Sequence, residues 1–168
     1  NEFLADANVN VIDMVAELFA EAIAGAEDTQ GFVGTGSPFT GILNDAGVTV
    51  FTPATGNSTF TLCTSPDNLR DLISQVKPYA LNGAAFYMHR SVWGILQQKK
   101  ASTGGDYFVS TSSPVLNANG AGNPMGQKAV GTVWGYPVIL TDVLPTTTGV
   151  STQYIILEHI KNALLGER

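Results

Sequence analysis

A long apolar stripe over residues 9–30 is the strongest pattern in the chain. Apolar side chains recur there at spacings of three and four, at Val11, Ile12, Val15, Leu18, Phe19, Ala22, Ile23 and Ala26. This period places them on one face of an amphipathic helix, with acidic residues on the opposite face. Asn8 or Asn10 can cap its start, and Gly31 is a natural stop. The sequence therefore predicts one helix of about twenty residues, ~30 Å long.

A glycine-rich stretch, "GFVGTGSPFTGIL" (residues 31–43), follows this helix. Glycine loops can hold phosphate, but a P-loop requires a lysine directly after its last glycine, and Ile42 stands there instead. A dinucleotide-binding loop would follow a strand, whereas this loop follows a helix. We therefore predict a structural turn, in which Gly34, Gly36 and Gly41 supply positive φ angles.

The rest of the chain mixes strand and helix patterns. Alternation over Val48–Phe51 and Ser58–Leu62 predicts a β-hairpin. Ser65–Lys77 is predicted to be a helix with Pro66 in its first turn, and Ser91–Lys100 a second helix with a basic end. The residues expected to face inward on these two helices are Leu69, Leu72, Ile73, Val76, Val92, Trp93 and Leu96.

Three apolar runs are predicted to form further strands: Ala84–Met88, Tyr136–Leu140 and Tyr154–Leu157. Between the first two, residues 101–130 are rich in Ser, Thr, Asn and Gly and show no periodicity. A loop of that length is unusual in a compact domain and is normally functional or disordered. The order of elements predicts an α+β fold rather than a regular βαβ series.

Composition narrows the function classes. The 168 residues carry 8 basic and 14 acidic side chains, a net charge of −6, and no window concentrates Lys or Arg beyond the pair Lys99 and Lys100. The basic surface expected of a nucleic-acid-binding protein is therefore missing. No run approaches the ~20 apolar residues of a membrane span, and the single cysteine excludes an internal disulfide.

Candidate catalytic groups are few. Cys63 could act as a nucleophile only with a base such as His89 or His159 beside it. All three residues border apolar segments, where such side chains are more often buried and unreactive than catalytic. No paired His or Cys spacing indicates a metal site, and no nucleophile elbow is present. We therefore predict no catalytic, cofactor-binding or metal-binding residues, with a small cysteine hydrolase kept as an alternative.

Several segments, taken in order, resemble the major capsid proteins of tailed bacteriophages with the Hong Kong 97-type fold. "DMVAELFAEAIAGAEDTQGFVGTGSPFTGIL" (residues 13–43) is similar to the spine helix of that family and the glycine run that ends it. "AFYMHRSVWGILQQKK" with "TGGDYF", the run Gly135–Ile139, and "YIILEHIKNALLGER" resemble the blocks that follow. The glycine run departs from the usual Asn-Gly-Asp-Gly form, so its turn is expected to differ locally.

The resemblance implies a central fragment of a capsid subunit without the family's flanking arm and loop. Residues 1–43 would be the spine helix and glycine-rich turn of the peripheral domain, and residues 44–168 the axial domain, a small mixed sheet flanked by helices. The 101–130 loop would lie where axial domains meet or would face the outside of the shell.

The implied function is structural. Copies of the subunit would assemble into pentamers and hexamers of an icosahedral phage head, a virion built in the bacterial cytoplasm, with scaffold, portal and decoration proteins as further partners. Neither specific nucleic-acid recognition nor a membrane is implied. An encapsulin-type nanocompartment shell, which has the same fold, is the alternative.

Overall fold

The computed structural model describes residues 11–53, 65–100, 109–110, 129–146 and 152–159. The chain divides into two compact units, Asn1–Thr49 and Val50–Arg168. Each is described by itself. Cys63, the capping candidates Asn8 and Asn10, the predicted strand at residues 58–62 and most of the 101–130 loop lie outside the described residues.

The first unit is a long helix followed by the glycine-rich turn. Helix α1 spans Val11–Val33, and a short 3₁₀ turn spans Ile42–Asn44. The prediction that Gly31 ends the helix is wrong, because the backbone continues in helical form through it. The i→i−4 hydrogen-bond series runs on to the amide of Gly34, which donates to the carbonyl of Gln30 at 2.9 Å.

The apolar stripe of α1 lies on the surface of the molecule. Ile12 is 74 %, Phe19 66 % and Ile23 57 % exposed. Phe32, in the last turn, is the one buried residue of the helix. The predicted helix is therefore present, but the burial that its amphipathic pattern normally implies is not supplied by the described part of the chain.

The second unit is built on a five-stranded mixed sheet. Its strands are β1 (Ala85–Met88), β2 (Val109–Ser110), β3 (Gly131–Val133), β4 (Tyr136–Leu140) and β5 (Ile155–Glu158). The order across the sheet is β2-β3-β4-β1-β5. Strands β1 and β4 are parallel, and the other three pairs are antiparallel. The small mixed sheet of the predicted α+β fold is confirmed, as are the strands predicted at 84–88, 136–140 and 154–157.

A tight hairpin joins β3 and β4 and was not predicted. Its two turn residues, Trp134 and Gly135, have φ angles of 50° and 85°. Two consecutive positive φ angles define a type I′ turn, whose twist matches that of the flanking strands. The sequence signal is weak because Asn rather than Trp is the usual first residue of such a turn, and β3 is only three residues long. Strand β2 lies inside the segment that was predicted to be a loop.

The described residues of the second unit include three helices. They are α2 (Pro66–Gln75), α3 (Pro78–Leu81) and α4 (Arg90–Gln97). Helix α2 begins as predicted, with the Ser65 side chain accepting from the Asn68 amide at 3.3 Å. It ends before Lys77 because a residue that precedes proline favours an extended backbone, and Lys77 has ψ of 141°.

Two further sequence predictions need correction. The expected basic end of α4 is wrong: the helix ends at Gln97, so Lys99 and Lys100 lie beyond it. The first strand of the predicted hairpin, Val48–Phe51, is irregular in the structure. Val48 and Val50 are 45 % and 55 % exposed, so these alternating apolar residues lack the buried face that stabilises a strand.

The hydrophobic core lies between one face of the sheet and helices α2 and α4. Its buried members are Leu69, Phe86, Met88, Val92, Trp93, Leu96, Val133 and Val138. Leu72 and Ile73 pack against this cluster from α2, as their helical spacing predicts. The opposite face of the sheet is also buried, since Ala85, Tyr87 and Ile139 are each at most 1 % exposed.

Candidate functional site

The glycine-rich turn after α1 is held by backbone hydrogen bonds. The amide of Gly41 donates to the carbonyl of Gly34 at 2.8 Å, and the amide of Gly36 donates to the carbonyl of Phe39 at 3.2 Å. The side-chain amide of Asn44 donates to the carbonyls of Val33 and Gly34, both at 3.0 Å. These carbonyls belong to the end of α1, so Asn44 satisfies acceptors that a helix leaves without intrahelical partners.

The glycines of this turn have two different physical roles. Gly36 has φ of 113°, as predicted. Gly34 and Gly41 do not have positive φ, so that part of the prediction is wrong. Glycine is required at both positions because there is no room for a side chain. A Cβ atom on Gly34 would lie 2.5 Å from the carbonyl oxygen of Gln30, and one on Gly41 would lie 2.5 Å from the amide nitrogen of Gly34.

The same hydrogen bonds rule out a phosphate-binding loop here. A phosphate cradle needs several backbone N–H groups aimed at the ligand, usually at the start of a helix. The amides of Gly34, Gly36 and Gly41 instead donate to backbone carbonyls. The turn also stands at the carboxyl end of α1, where exposed carbonyls repel anions.

The two histidines considered as catalytic bases are not brought together by the fold. His89 follows the last residue of β1, and His159 follows Glu158, which pairs with the first residue of β1. The two imidazoles therefore belong to opposite ends of the same strand. Cys63 lies outside the described residues.

His89 has a structural role at the start of α4. Its Nδ1 atom accepts a hydrogen bond from the Ser91 amide at 3.1 Å, which caps the helix. Its Nε2 atom lies 3.6 Å from a carboxylate oxygen of Asp142, and Asp142 itself is almost fully exposed. From the sequence, His89 was considered as a base, and its capping role was missed. The signal for that role is its position just before the start of the helix.

A cation–π pair joins α2 to the β3–β4 hairpin. The Arg70 guanidinium carbon lies 4.3 Å from the ring centroid of Trp134. Trp134 is 37 % exposed, so the contact lies at the surface of the second unit. Neither residue was singled out by sequence analysis, because the pairing depends on the hairpin bringing Trp134 to the helix.

The face of the sheet opposite the hydrophobic core carries two titratable groups, Tyr87 and Glu158, near the β5 edge. Burial raises the pKa of Tyr87 to about 12, and the nearby Glu158 carboxylate adds to that rise. Burial also raises the pKa of Glu158 above its ordinary 4.5, partly offset by the neighbouring His159. These groups are assembled by the pairing of β1 with β5.

Among the residues that the structure describes, no three His, Cys, Asp or Glu side chains are grouped to hold a metal ion. No helix in the described ranges is long and apolar enough to cross a membrane.

The fold is similar to that of a solved capsid. A chain from the structure titled "Capsid of empty GTA particle computed with C5 symmetry" aligns with a TM-score of 0.60 and 19% sequence identity. The alignment covers 92% of this chain and 51% of that one, so the present chain spans about half the length of the capsid chain. At this identity the similarity establishes the capsid fold.

The sequence comparison extends over the whole chain. No curated protein matches it. The profile of the family described as "Phage capsid family" matches residues 1–168, from the long helix to the segment after β5. Family members are structural proteins of a shell, which agrees with the capsid fold and with the expectation of a non-enzymatic role. The chain belongs to the phage capsid family.

Proposed function

We propose that the protein to which this chain belongs is a major capsid subunit that assembles with other copies into pentamers and hexamers of an icosahedral phage head. The observation that carries the proposal is the family match over all 168 residues. The capsid fold supports it independently, since 92% of the chain aligns with a shell protein at a TM-score of 0.60.

The proposal assigns the two units to the two domains of such a subunit. Residues 1–43 form the spine helix and turn of the peripheral domain, and residues 44–168 form the axial domain. The division of the chain between Thr49 and Val50 supports a boundary close to this position. The hydrogen-bonded glycine turn supports it as well, because it fixes the end of the long helix just before that boundary.

The exposed stripe of α1 supports a role in assembly. Monomeric proteins rarely expose large contiguous apolar patches, and such patches commonly mark surfaces that other polypeptide covers. Here large apolar residues are exposed between Ile12 and Ile23, over about three turns of helix. In a shell, heterologous contacts between copies close into rings around symmetry axes, so much of each subunit surface is covered.

Under this proposal the protein is a virion component built in the cytoplasm of a bacterial host, with scaffold, portal and decoration proteins as further partners. The direct test is to express the full reading frame that contains these residues in bacteria, together with its neighbouring scaffold gene. We expect particles that sediment as closed shells and show pentamers and hexamers by electron microscopy. Dispersed subunits under these conditions would contradict the proposal.

The alternatives predict different results. An encapsulin-type shell would form from the subunit alone around a co-expressed cargo enzyme.

The 168-residue chain by itself is expected to remain monomeric or to form small oligomers, because it spans about half of the matching capsid chain. A cysteine hydrolase would lose activity when Cys63 is alkylated, whereas a buried cysteine should react slowly.

A further inference from the structure

The edge of the second unit's sheet contains a carboxylic acid in an unusual position. Among the strands that the structure describes, β5 is the last in the sheet and pairs with β1. Glu158 stands directly opposite Ala85 at the first position of β1. Directly opposite residues of an antiparallel pair project on the same face. Glu158 therefore belongs to the face that carries Ala85 and Tyr87.

This face is apolar and excludes water. Ala85 is 0 % and Tyr87 1 % exposed, and Ile156, two residues before Glu158, is 8 % exposed. The Oε2 atom of Glu158 is buried and accepts no hydrogen bond. An ionised carboxylate with a buried oxygen that lacks a hydrogen-bond partner is costly, whereas the protonated form is far less so.

Only two titratable groups in the described ranges act on this carboxyl. They are Tyr87 on β1 and the adjoining His159. A protonated imidazole at His159 favours the ionised carboxylate, but the effect of burial is larger. His159 is itself confined, because its Nε2 atom lies where a side chain on Gly83 would lie, 2.8 Å from that Cβ position.

We propose that Glu158 makes the edge strand β5 a proton-controlled latch, held against β1 when the carboxyl is protonated and released more readily when it is ionised. An edge strand is suited to this because one ladder of hydrogen bonds holds it, so it can open without global unfolding. Opening exposes the carboxylate to water, which stabilises its charged form. The inference concerns the stability of this strand and goes beyond the proposed shell role.

The direction of the pH effect follows from linkage. The pKa of Glu158 in the closed strand lies above its ordinary value of 4.5. Its stabilising contribution is therefore complete below that ordinary value and is lost as the pH rises through the raised value. Closed β5 gains protection in mild acid, opposite to the trend for a glutamate held in a salt bridge.

Hydrogen exchange of peptides covering residues 152–159 tests this directly in the 168-residue chain. After correction for intrinsic exchange rates, we expect protection at pH 5.5 to exceed that at pH 7.5 by about threefold or more. Glu158→Gln should abolish this ratio, since glutamine does not titrate. Glu21→Gln, on the exposed surface of α1, is the matched control and should behave as wild type. An equal ratio in wild type and Glu158→Gln would overturn the proposal.

A second measurement needs no variant and remains decisive if Glu158→Gln fails to fold. Carboxyl ¹³C resonances of the glutamates can be followed through a pH titration of the wild-type chain. The Glu158 resonance should titrate above the ordinary glutamate value of 4.5, because burial raises its pKa. A midpoint at or below that ordinary value would refute the latch, whatever the outcome of shell assembly.

Discussion

At the residue scale, the glycine-rich turn depends on space more than on backbone angle. Gly34 and Gly41 lie against each other and against the end of α1, where a Cβ atom on either would overlap backbone atoms at 2.5 Å. Backbone atoms cannot move aside as a flexible side chain can. The sequence alone indicates that the turn needs glycine, but only the packed turn distinguishes the crowded positions from Gly36, where φ is 113°.

Gly41→Ala should destabilise this turn and shorten α1. The new methyl group would lie 2.5 Å from the Gly34 amide nitrogen and 2.7 Å from the Gln30 carbonyl oxygen. Overpacking of this kind typically costs about 1–3 kcal/mol. Circular dichroism at 222 nm during thermal unfolding should show the loss as reduced helicity and an earlier helical transition.

Gly31→Ala is the matched control. A Cβ atom on Gly31 meets nothing within 4 Å, and the residue lies inside α1. Alanine should therefore raise helix stability by about 0.5–1 kcal/mol. A loss of helicity in Gly31→Ala would revive the interpretation of Gly31 as the end of the helix.

At the element scale, capping determines where the short helices of the second unit begin. The Ser65 hydroxyl accepts from the Asn68 amide, and Pro66 occupies the first helical position. A ten-residue helix gains little from propensity alone, so such end contacts matter. These two features were readable from the sequence, because both depend on residues within one turn of each other.

Ser65→Ala should lower the free energy of unfolding of the second unit by about 1 kcal/mol, the usual cost of losing an N-cap. Urea unfolding followed by tryptophan fluorescence measures this change. Ser74→Ala is the control: its hydroxyl donates to the Asp71 carbonyl on the exposed side of the same helix, and alanine has the higher helix propensity. Equal losses in both variants would argue against a capping role for Ser65.

The β3–β4 hairpin is attached to α2 by the pair of Arg70 and Trp134. The guanidinium lies 4.3 Å from the ring centroid, within the range of a cation–π interaction. Trp134 occupies a turn position at φ of 50°, which is unfavourable for a bulky side chain. The contact with Arg70 on α2 offsets the unfavourable backbone angle of Trp134.

A double-mutant cycle should measure that contact. We expect Arg70→Gln and Trp134→Asn to couple by about 0.5–1 kcal/mol, because each variant removes one partner of the same interaction. Asn is the residue that the type I′ turn favours, so the single Trp134→Asn variant should remain folded. Arg90→Gln combined with Trp134→Asn should be additive, and equal coupling in the two cycles would contradict the pairing.

At the scale of the whole molecule, the two units differ in what stabilises them. The second unit has a buried core on one face of its sheet and a buried apolar surface on the other. The first unit has a single buried residue in its helix, with Ile12, Phe19 and Ile23 all exposed. The proposed shell role accounts for this difference if other polypeptide covers α1 in the assembled particle.

A combined Ile12→Ser, Phe19→Ser and Ile23→Ser variant separates folding from assembly. In the 168-residue chain, surface substitutions should each change stability by no more than about 0.5 kcal/mol beyond their effect on helix propensity. In the full reading frame, the same variant should fail to form sedimenting shells. Glu17→Gln, on the acidic face of α1, is the control and should leave shells intact. Normal shells from the triple variant would show that this stripe is dispensable.

The sequence by itself determined the local features of this protein. The long helix as far as residue 30, the capped start of α2 and the strands β1, β4 and β5 all follow from periodicity, caps and apolar runs within short windows. The order of its motifs also indicated the capsid family. These properties are readable because neighbouring residues along the chain carry the physical cause.

Tertiary structure alone decided the remaining features. The strand order β2-β3-β4-β1-β5, the separation of His89 from His159 and the burial of Glu158 depend on contacts between distant segments. Val48–Phe51 has the alternation of a strand but lacks a buried face, whereas the short β3 forms because β4 pairs with it. The hydrophobic pattern of a segment shows which of its faces can be buried. Whether that face is buried depends on the fold, which must place another apolar surface against it.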